Sequence, residues 1–176
     1  MSFNHFRRKL CYEIIKNKCH AILDLGTGNG KLLHELINMK YFPEIFVGID
    51  ISLRDLIMAS EKFRGYYFSN FIVCDCQILP VRRNFDCITC SFSLAHFENP
   101  FKVLDNIREV IKGNGKLLIV DYSHPFYYSE VNSLFRKGPN YIVMTLINYL
   151  KKLKGIKRVE YEINGDFFIL VINFTS

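Results

Sequence analysis

The chain has 176 residues, a formal net charge of +6, 49% hydrophobic and 23% charged residues, and an aromatic content of phenylalanine and tyrosine with no tryptophan. That length buries enough apolar surface to sustain one core without disulfides or metal, and the composition is that of a folded, soluble chain. The start, Met-Ser-Phe-Asn-His-Phe-Arg-Arg-Lys, runs into no apolar segment of signal-peptide type, and the longest apolar run is only Phe167 to Ile172; the expectation is a single cytosolic domain over residues 1–176 with no membrane span.

In chain order, residues 6–17 place Phe6, Leu10, Tyr12, Ile14 and Ile15 at imperfect helical spacing, a helix that would cap the sheet. Ala21 to Leu25 reads as a buried strand. It runs into three alternating glycines, Gly26, Gly28 and Gly30, and then into a helix whose inner face is Leu32, Leu33, Leu36 and Ile37. Glycines accept positive φ and let a ligand approach the main chain, and the helix that follows opens with unpaired N–H groups. Pro43 marks the loop into a second strand, Ile45 to Ile49, which delivers Asp50 at its end. Ser52-x-x-Asp55 resembles a capping box with Asp in the last position, and Leu53, Leu56 and Ile57 are the expected inner face of that helix.

Tyr67 to Cys74 reads as the third strand, and Asp75 to Asn84, which holds Pro80, is too short for a crossover helix and is expected as a loop. Phe85 to Phe92 is the fourth strand. The pairs Cys74-x-Cys76 and Cys87-x-x-Cys90 look superficially like zinc knuckles. Residues three apart on a strand point to opposite faces and cannot share one tetrahedral ion, so no metal is expected and the six cysteines read as free thiols. Asn99-Pro100 is a helix start, with a buried stripe Phe101, Leu104, Ile107, Val110 and Ile111 running up to Gly113. Gly115 to Asp121 is the fifth strand, followed by an aromatic loop from Tyr122 to Tyr128 and a helix from about Pro139 to Leu153. Lys151, Lys152, Lys154, Lys157 and Arg158 form the densest basic cluster, which reads as a solvated helix end or, alternatively, as a surface for an acidic partner. At the end Val159, Tyr161 and Ile163 alternate with charged residues, Asn164-Gly165 is a hairpin turn, and Phe167 to Ile172 is apolar throughout. A continuous apolar strand needs cover on both faces, so it is expected antiparallel beside the fifth strand with the alternating strand outside it.

Four stations in this order resemble the class I S-adenosylmethionine-dependent methyltransferases, and among them the small-molecule type that includes ubiquinone and menaquinone biosynthesis methyltransferases. They are Leu23-Asp-Leu-Gly-Thr-Gly-Asn-Gly30, Val47-Gly-Ile-Asp-Ile-Ser52, Asp75-Cys-Gln-Ile-Leu-Pro80 continuing to Phe85-Asp86, and Ile111-Lys-Gly-Asn-Gly-Lys-Leu-Leu-Ile-Val120. Dinucleotide-binding folds also pair a glycine turn with a downstream acid, but Lys31 stands where they place a third glycine, and Asp75 has no counterpart there. The resemblance implies an α/β, Rossmann-like three-layer sandwich with a seven-stranded, mostly parallel sheet of order 3-2-1-4-5-7-6 and strand seven antiparallel. It further implies that Asp24 and the main chain at Gly26, Thr27, Gly28 and Gly30 face the methionine part of S-adenosyl-L-methionine. Asp50 would bind the ribose hydroxyls, Ile51 would pack on the adenine, Asp75 and the Cys76 amide would take the adenine edge, and Ser91 and Phe92 would approach the sulfonium. Cys76 in place of a small Ala, and Lys112-Gly113-Asn114 in place of Lys-Pro-Gly, depart from the family pattern.

The activity implied is direct in-line methyl transfer to a small-molecule acceptor, with alignment supplying on the order of 7 to 11 kcal/mol in favourable cases. His96 and His124 follow strands four and five at the carboxyl edge and are the candidate general bases, the alternative being loop histidines satisfied by neighbouring carbonyls. Phe92, Tyr12 and Phe3 are candidates to face a sulfonium, and Tyr122, Tyr127 and Tyr128 to wall the acceptor pocket. Two other readings stand beside this one: a catalytically silent binding or regulatory module of the same fold, and an RNA or protein methyltransferase using the cluster around Lys154.

Overall fold

The computed structural model describes residues 3–81, 85–123 and 140–175. Its elements are α1 (Phe3–Lys16), β1 (Ala21–Leu25), α2 (Lys31–Asn38), β2 (Ile45–Asp50), α3 (Leu53–Lys62), β3 (Ser69–Val73), β4 (Phe85–Ser91), a 3-10 turn (Leu94–His96), α4 (Pro100–Ile107), β5 (Ile111–Tyr122), α5 (Tyr141–Leu150), β6 (Ile156–Asn164) and β7 (Phe167–Phe174). The strands form one sheet of order β3-β2-β1-β4-β5-β7-β6. The first five pair in parallel, and β7 runs antiparallel to both β5 and β6. This is the expected Rossmann-like sandwich, closed by the hairpin strand wedged between β5 and β6.

Alternation along the strands divides the core in two. Ile22, Phe46, Cys87, Leu118 and Val120 face Phe6, Leu10 and Ile14 of α1 and Leu33 and Leu36 of α2. Leu23, Ile49, Ile88, Cys90, Leu117 and Ile119 face Val103, Leu104 and Ile107 of α4 and Val143 and Leu146 of α5. Buried on both faces, β1 must be apolar at nearly every position, and the one charge it carries, Asp24, is therefore conspicuous.

Several local expectations are redrawn. On α3, Leu56 and Ala59 are buried while Leu53 and Ile57 are exposed, because the helix presents a narrower face to the sheet than its apolar residues suggest. The third strand begins at Ser69, with Tyr67 left in the preceding turn. Helix α4 ends at Ile107; Val110 sits in a turn and Ile111 opens β5, both still in the same core. Cys87 and Cys90 do lie on opposite faces of β4. Cys19 and Cys87, however, are joined as a disulfide with Cα atoms 5.6 Å apart, which corrects the expectation of six free thiols; their separation of 68 positions carries no local signal. Among the described residues no helix is long and apolar enough to cross a membrane, and no group of three His, Cys, Asp or Glu could hold a metal ion.

Candidate functional site

The glycine turn hangs from the end of β2: the N–H groups of Gly26 and Thr27 donate to the Ile49 carbonyl at 2.8 and 3.0 Å. Gly26 has φ +68, and a Cβ there would stand 2.4 Å from the Ser93 Cβ, so this glycine lets the turn close on the chain leaving β4. Gly28 has φ +52, but a Cβ there would meet nothing within 4 Å. Its missing side chain leaves open room beside the main chain, where a ligand can approach.

Asp50, ending β2, accepts a hydrogen bond from Gly28 N–H at 2.8 Å through Oδ2 and from Ser52 N–H at 2.9 Å through Oδ1. A carboxylate offers about four lone-pair sites, so Asp50 can fix the turn and still bind a vicinal diol. Asp75, just beyond β3, accepts from the Gln77 main chain at 2.8 Å, which orients its carboxylate on an exposed loop.

Two cavities meet at Gly26, Asp50 and Ser93 along the carboxyl edge of the sheet. One, of about 280 Å³, is lined by Arg7, Asp24, Thr27, Gly28, Ser91 and Phe92 among others. The other, of about 510 Å³, is lined by Ile51, Asp75, Cys76, Gln77 and His96. Asp50 and Asp75 thus share one crevice. Ile51, 74% exposed, offers an apolar surface of the kind a flat base covers. His96 lies with Asp75 and Ile51, in a different lobe from Ser91 and Phe92. Gly30 lines neither lobe; it opens α2 at φ +74. His124, Tyr127 and Tyr128 lie outside the described residues. Tyr12 lines a separate groove with Glu160 and Val171, away from the crevice.

Burial dominates the Asp24 carboxyl, pushing it up to about 6; the Thr89 hydroxyl and the Arg7 charge pull it back, and Asp50 raises it further. Thr89 Oγ1 donates to Asp24 Oδ1 at 2.7 Å. Burial likewise lowers the Arg7 guanidinium, offset first by Asp24. Arg7 escaped sequence reading, because the helical stripe of α1 does not say which flank meets the cleft. Its guanidinium carbon lies 5.4 Å from the Phe92 ring centroid. Phe92 itself has φ +58, an uncommon conformation for a bulky residue and one that concentrates at binding sites. The Ser91 hydroxyl oxygen, shielded from solvent at the cavity wall, has no hydrogen-bond partner among the described residues. Open space at Gly28, spare acceptor sites on Asp50, a buried acid facing an arginine and this orphan hydroxyl fit a zwitterionic amino acid joined to a nucleoside.

The family described as "Methyltransferase domain" matches residues 16–163. The chain is 33% identical over 132 residues to the ubiquinone/menaquinone biosynthesis C-methyltransferase UbiE of Blochmanniella pennsylvanica, a match covering 71% of this chain and 52% of that protein. It spans about half the length of the curated relatives it matches. In fold it is similar to an S-adenosylmethionine-dependent methyltransferase from Clostridium acetobutylicum, with TM-score 0.75, 15% identity and coverage of 100% and 93% of the two chains. It is also similar to the N-methyltransferase NodS from Bradyrhizobium japonicum, solved with S-adenosyl-L-homocysteine, with TM-score 0.71, 13% identity and coverage of 96% and 87%. The glycine turn, the two acids at neighbouring strand ends and the antiparallel seventh strand thus coincide with a family match over most of the sequence: the chain belongs to the methyltransferase-domain family, within the class I S-adenosylmethionine-dependent methyltransferases.

Proposed function

We propose that this chain, acting as one methyltransferase domain, transfers the methyl group of S-adenosylmethionine to a small-molecule acceptor by in-line displacement. The observation that carries this reading is the shared crevice of Asp50 and Asp75 beside the open face of Gly28. The cofactor, when bound, supplies a methyl group already activated on a sulfonium, whose sulfur keeps the bonding electron pair as the methyl passes to the acceptor.

The protein's part is positioning and exclusion of water. Asp50 grips the ribose hydroxyls, Asp75 and the Cys76 amide take the adenine edge, and Ile51 covers its face. Asp24, buried at the cavity wall, receives the ammonium of the amino-acid tail and the half-buried Arg7 its carboxylate, an ion pair for each charge. Phe92 turns its ring toward the sulfonium end. His96 lines the nucleoside lobe with Asp75 and Ile51 and not the lobe of Ser91 and Phe92, so we do not assign it the acceptor proton.

A small acceptor is favoured over RNA by the placement of the basic cluster. Ile156 pairs with Phe174, and Asn173 with Lys116, so Lys154 and Lys157 sit level with Lys116, midway along β5 and where its pairing with β7 begins. The crevice lies at the carboxyl end of that strand, roughly 20 Å away at 3.3 Å per residue. The UbiE relative, a C-methyltransferase of ubiquinone and menaquinone biosynthesis, agrees with a small acceptor. Calorimetric titration with S-adenosylhomocysteine tests the reading. Binding that weakens at least about tenfold in Asp50→Ala is expected, the loss of a charge-assisted contact; no heat and no thermal shift with the wild type would refute it.

A further inference from the structure

Four aromatic rings, each in contact with the other three, adjoin the crevice where Phe92 lines it. The Phe3 centroid is 5.1 Å from Phe92, 5.4 Å from Tyr122 and 5.7 Å from Phe167. Phe92, Tyr122 and Phe167 are 5.3 to 5.9 Å from one another. Three of these rings are fixed by the sheet: Phe92 leaves β4, Tyr122 ends β5 and Phe167 begins β7. Phe3 is different. It is the first residue of α1 and 44% exposed, whereas Phe6, one turn on, is fully buried and packs 4.8 Å from Phe167 as core.

The first turn of a helix has no intrahelical partners for its N–H groups and opens at little cost. Moving Phe3 therefore opens the side of Phe92, Tyr122 and Phe167 that it touches, and leaves Phe6 and the strand pairing in place. Phe3 and Arg7 are also four residues apart on one helix face, and both lie against the Phe92 ring. The same two turns of α1 thus touch the amino-acid end of the cofactor crevice through Arg7 and the ring box through Phe3.

We propose that Phe3 is a plug of the acceptor pocket: its ring keeps the place of a flat, apolar acceptor group of single-ring width, which displaces it and is held by Phe92, Tyr122 and Phe167. This rests on the methyl-transfer reading above. Discrimination lies in the three rings and not in the plug: a flat group regains edge and face contacts with them and a saturated group of equal width does not, while the cost of displacing Phe3 is the same for both.

The test uses p-cresol and its saturated counterpart 4-methylcyclohexanol, titrated by NMR into the full chain with S-adenosylhomocysteine present, in wild type, Phe3→Ala and Phe3→Leu. Removing the plug spares the acceptor the cost of displacing three ring contacts, so p-cresol is expected to bind roughly tenfold tighter to Phe3→Ala, with a smaller gain in Phe3→Leu. The saturated alcohol should gain by a similar factor but bind more weakly than p-cresol in all three forms, and S-adenosylhomocysteine affinity should hold within about twofold. Unchanged or weaker p-cresol binding in both variants, or a saturated alcohol that binds as tightly as p-cresol, overturns the proposal. Phe3→Leu, which keeps an apolar contact on α1, decides the matter if Phe3→Ala loses its fold. A wild type that binds no S-adenosylhomocysteine defeats the methyl-transfer reading instead, so the two failures are distinguishable.

Discussion

Asp24 is the most expensive residue of the site in electrostatic terms. With its carboxyl raised from 3.8 to about 6, the folded protein holds a proton there that the unfolded chain releases. Its contribution to stability is fully present below pH 3.8, falls as pH rises toward 6, and above that leaves a cost on the order of 3 kcal/mol. A ligand ammonium pairs only with the ionised form and so repays that cost only above pH 6. We therefore expect the thermal stabilisation by S-adenosylhomocysteine to be larger at about pH 7.5 than at about pH 5, with affinity falling by up to roughly tenfold per unit below the carboxyl's midpoint. In Asp24→Asn the ligand-free protein should melt higher at neutral pH while this pH dependence disappears; thermal melts across pH with and without ligand check both. A variant that keeps the same pH dependence would remove Asp24 from the ammonium's place.

At the scale of single elements, what could be read in advance was what is decided locally. Asn99 caps α4, its side chain accepting from Lys102 N–H at 3.1 Å ahead of Pro100 in the first turn, and Ser52 does the same for α3 by accepting from Asp55 N–H at 3.3 Å. Both caps are written in adjacent residues. Which flank of a helix meets the sheet is a tertiary matter, and there the apolar residues of α3 misled: Ala59 is buried and Leu53 is not. The same blindness hid Arg7, whose role depends on how α1 docks, while Asp50 and Asp75 were visible because strand ends in a parallel sheet converge on one edge. Asn99→Ala should cost about 1 kcal/mol, the ordinary value of an N-cap, read as a lowered urea midpoint with an unchanged slope. A loss several times larger would mean that Asn99 also braces the loop carrying His96.

On the scale of the whole molecule, the final hairpin joins architecture to site. Its inner strand β7 is apolar because β5 and β6 flank it and helices cover the sheet, and its first residue, Phe167, arrives beside Phe92 and Tyr122 only because the strand runs antiparallel. The turn that aims it is fastened by Ser123, whose N–H donates to the Asp166 carbonyl and whose hydroxyl donates to the Gly165 carbonyl at 2.8 and 2.9 Å. The other end of the hairpin carries the basic cluster, where Gly155 accepts from Thr175 N–H at 2.8 Å. One strand pair thus separates a ring box from a cationic surface by the full height of the sheet, and at that distance exposed charges are screened to near nothing at physiological salt, where the Debye length is about 8 Å. Reversing Lys152, Lys154 and Lys157 to Glu should accordingly leave S-adenosylhomocysteine affinity within about twofold at that salt, measured by titration calorimetry. A larger change would tie the cationic surface to the crevice and reopen an acidic macromolecule as the acceptor.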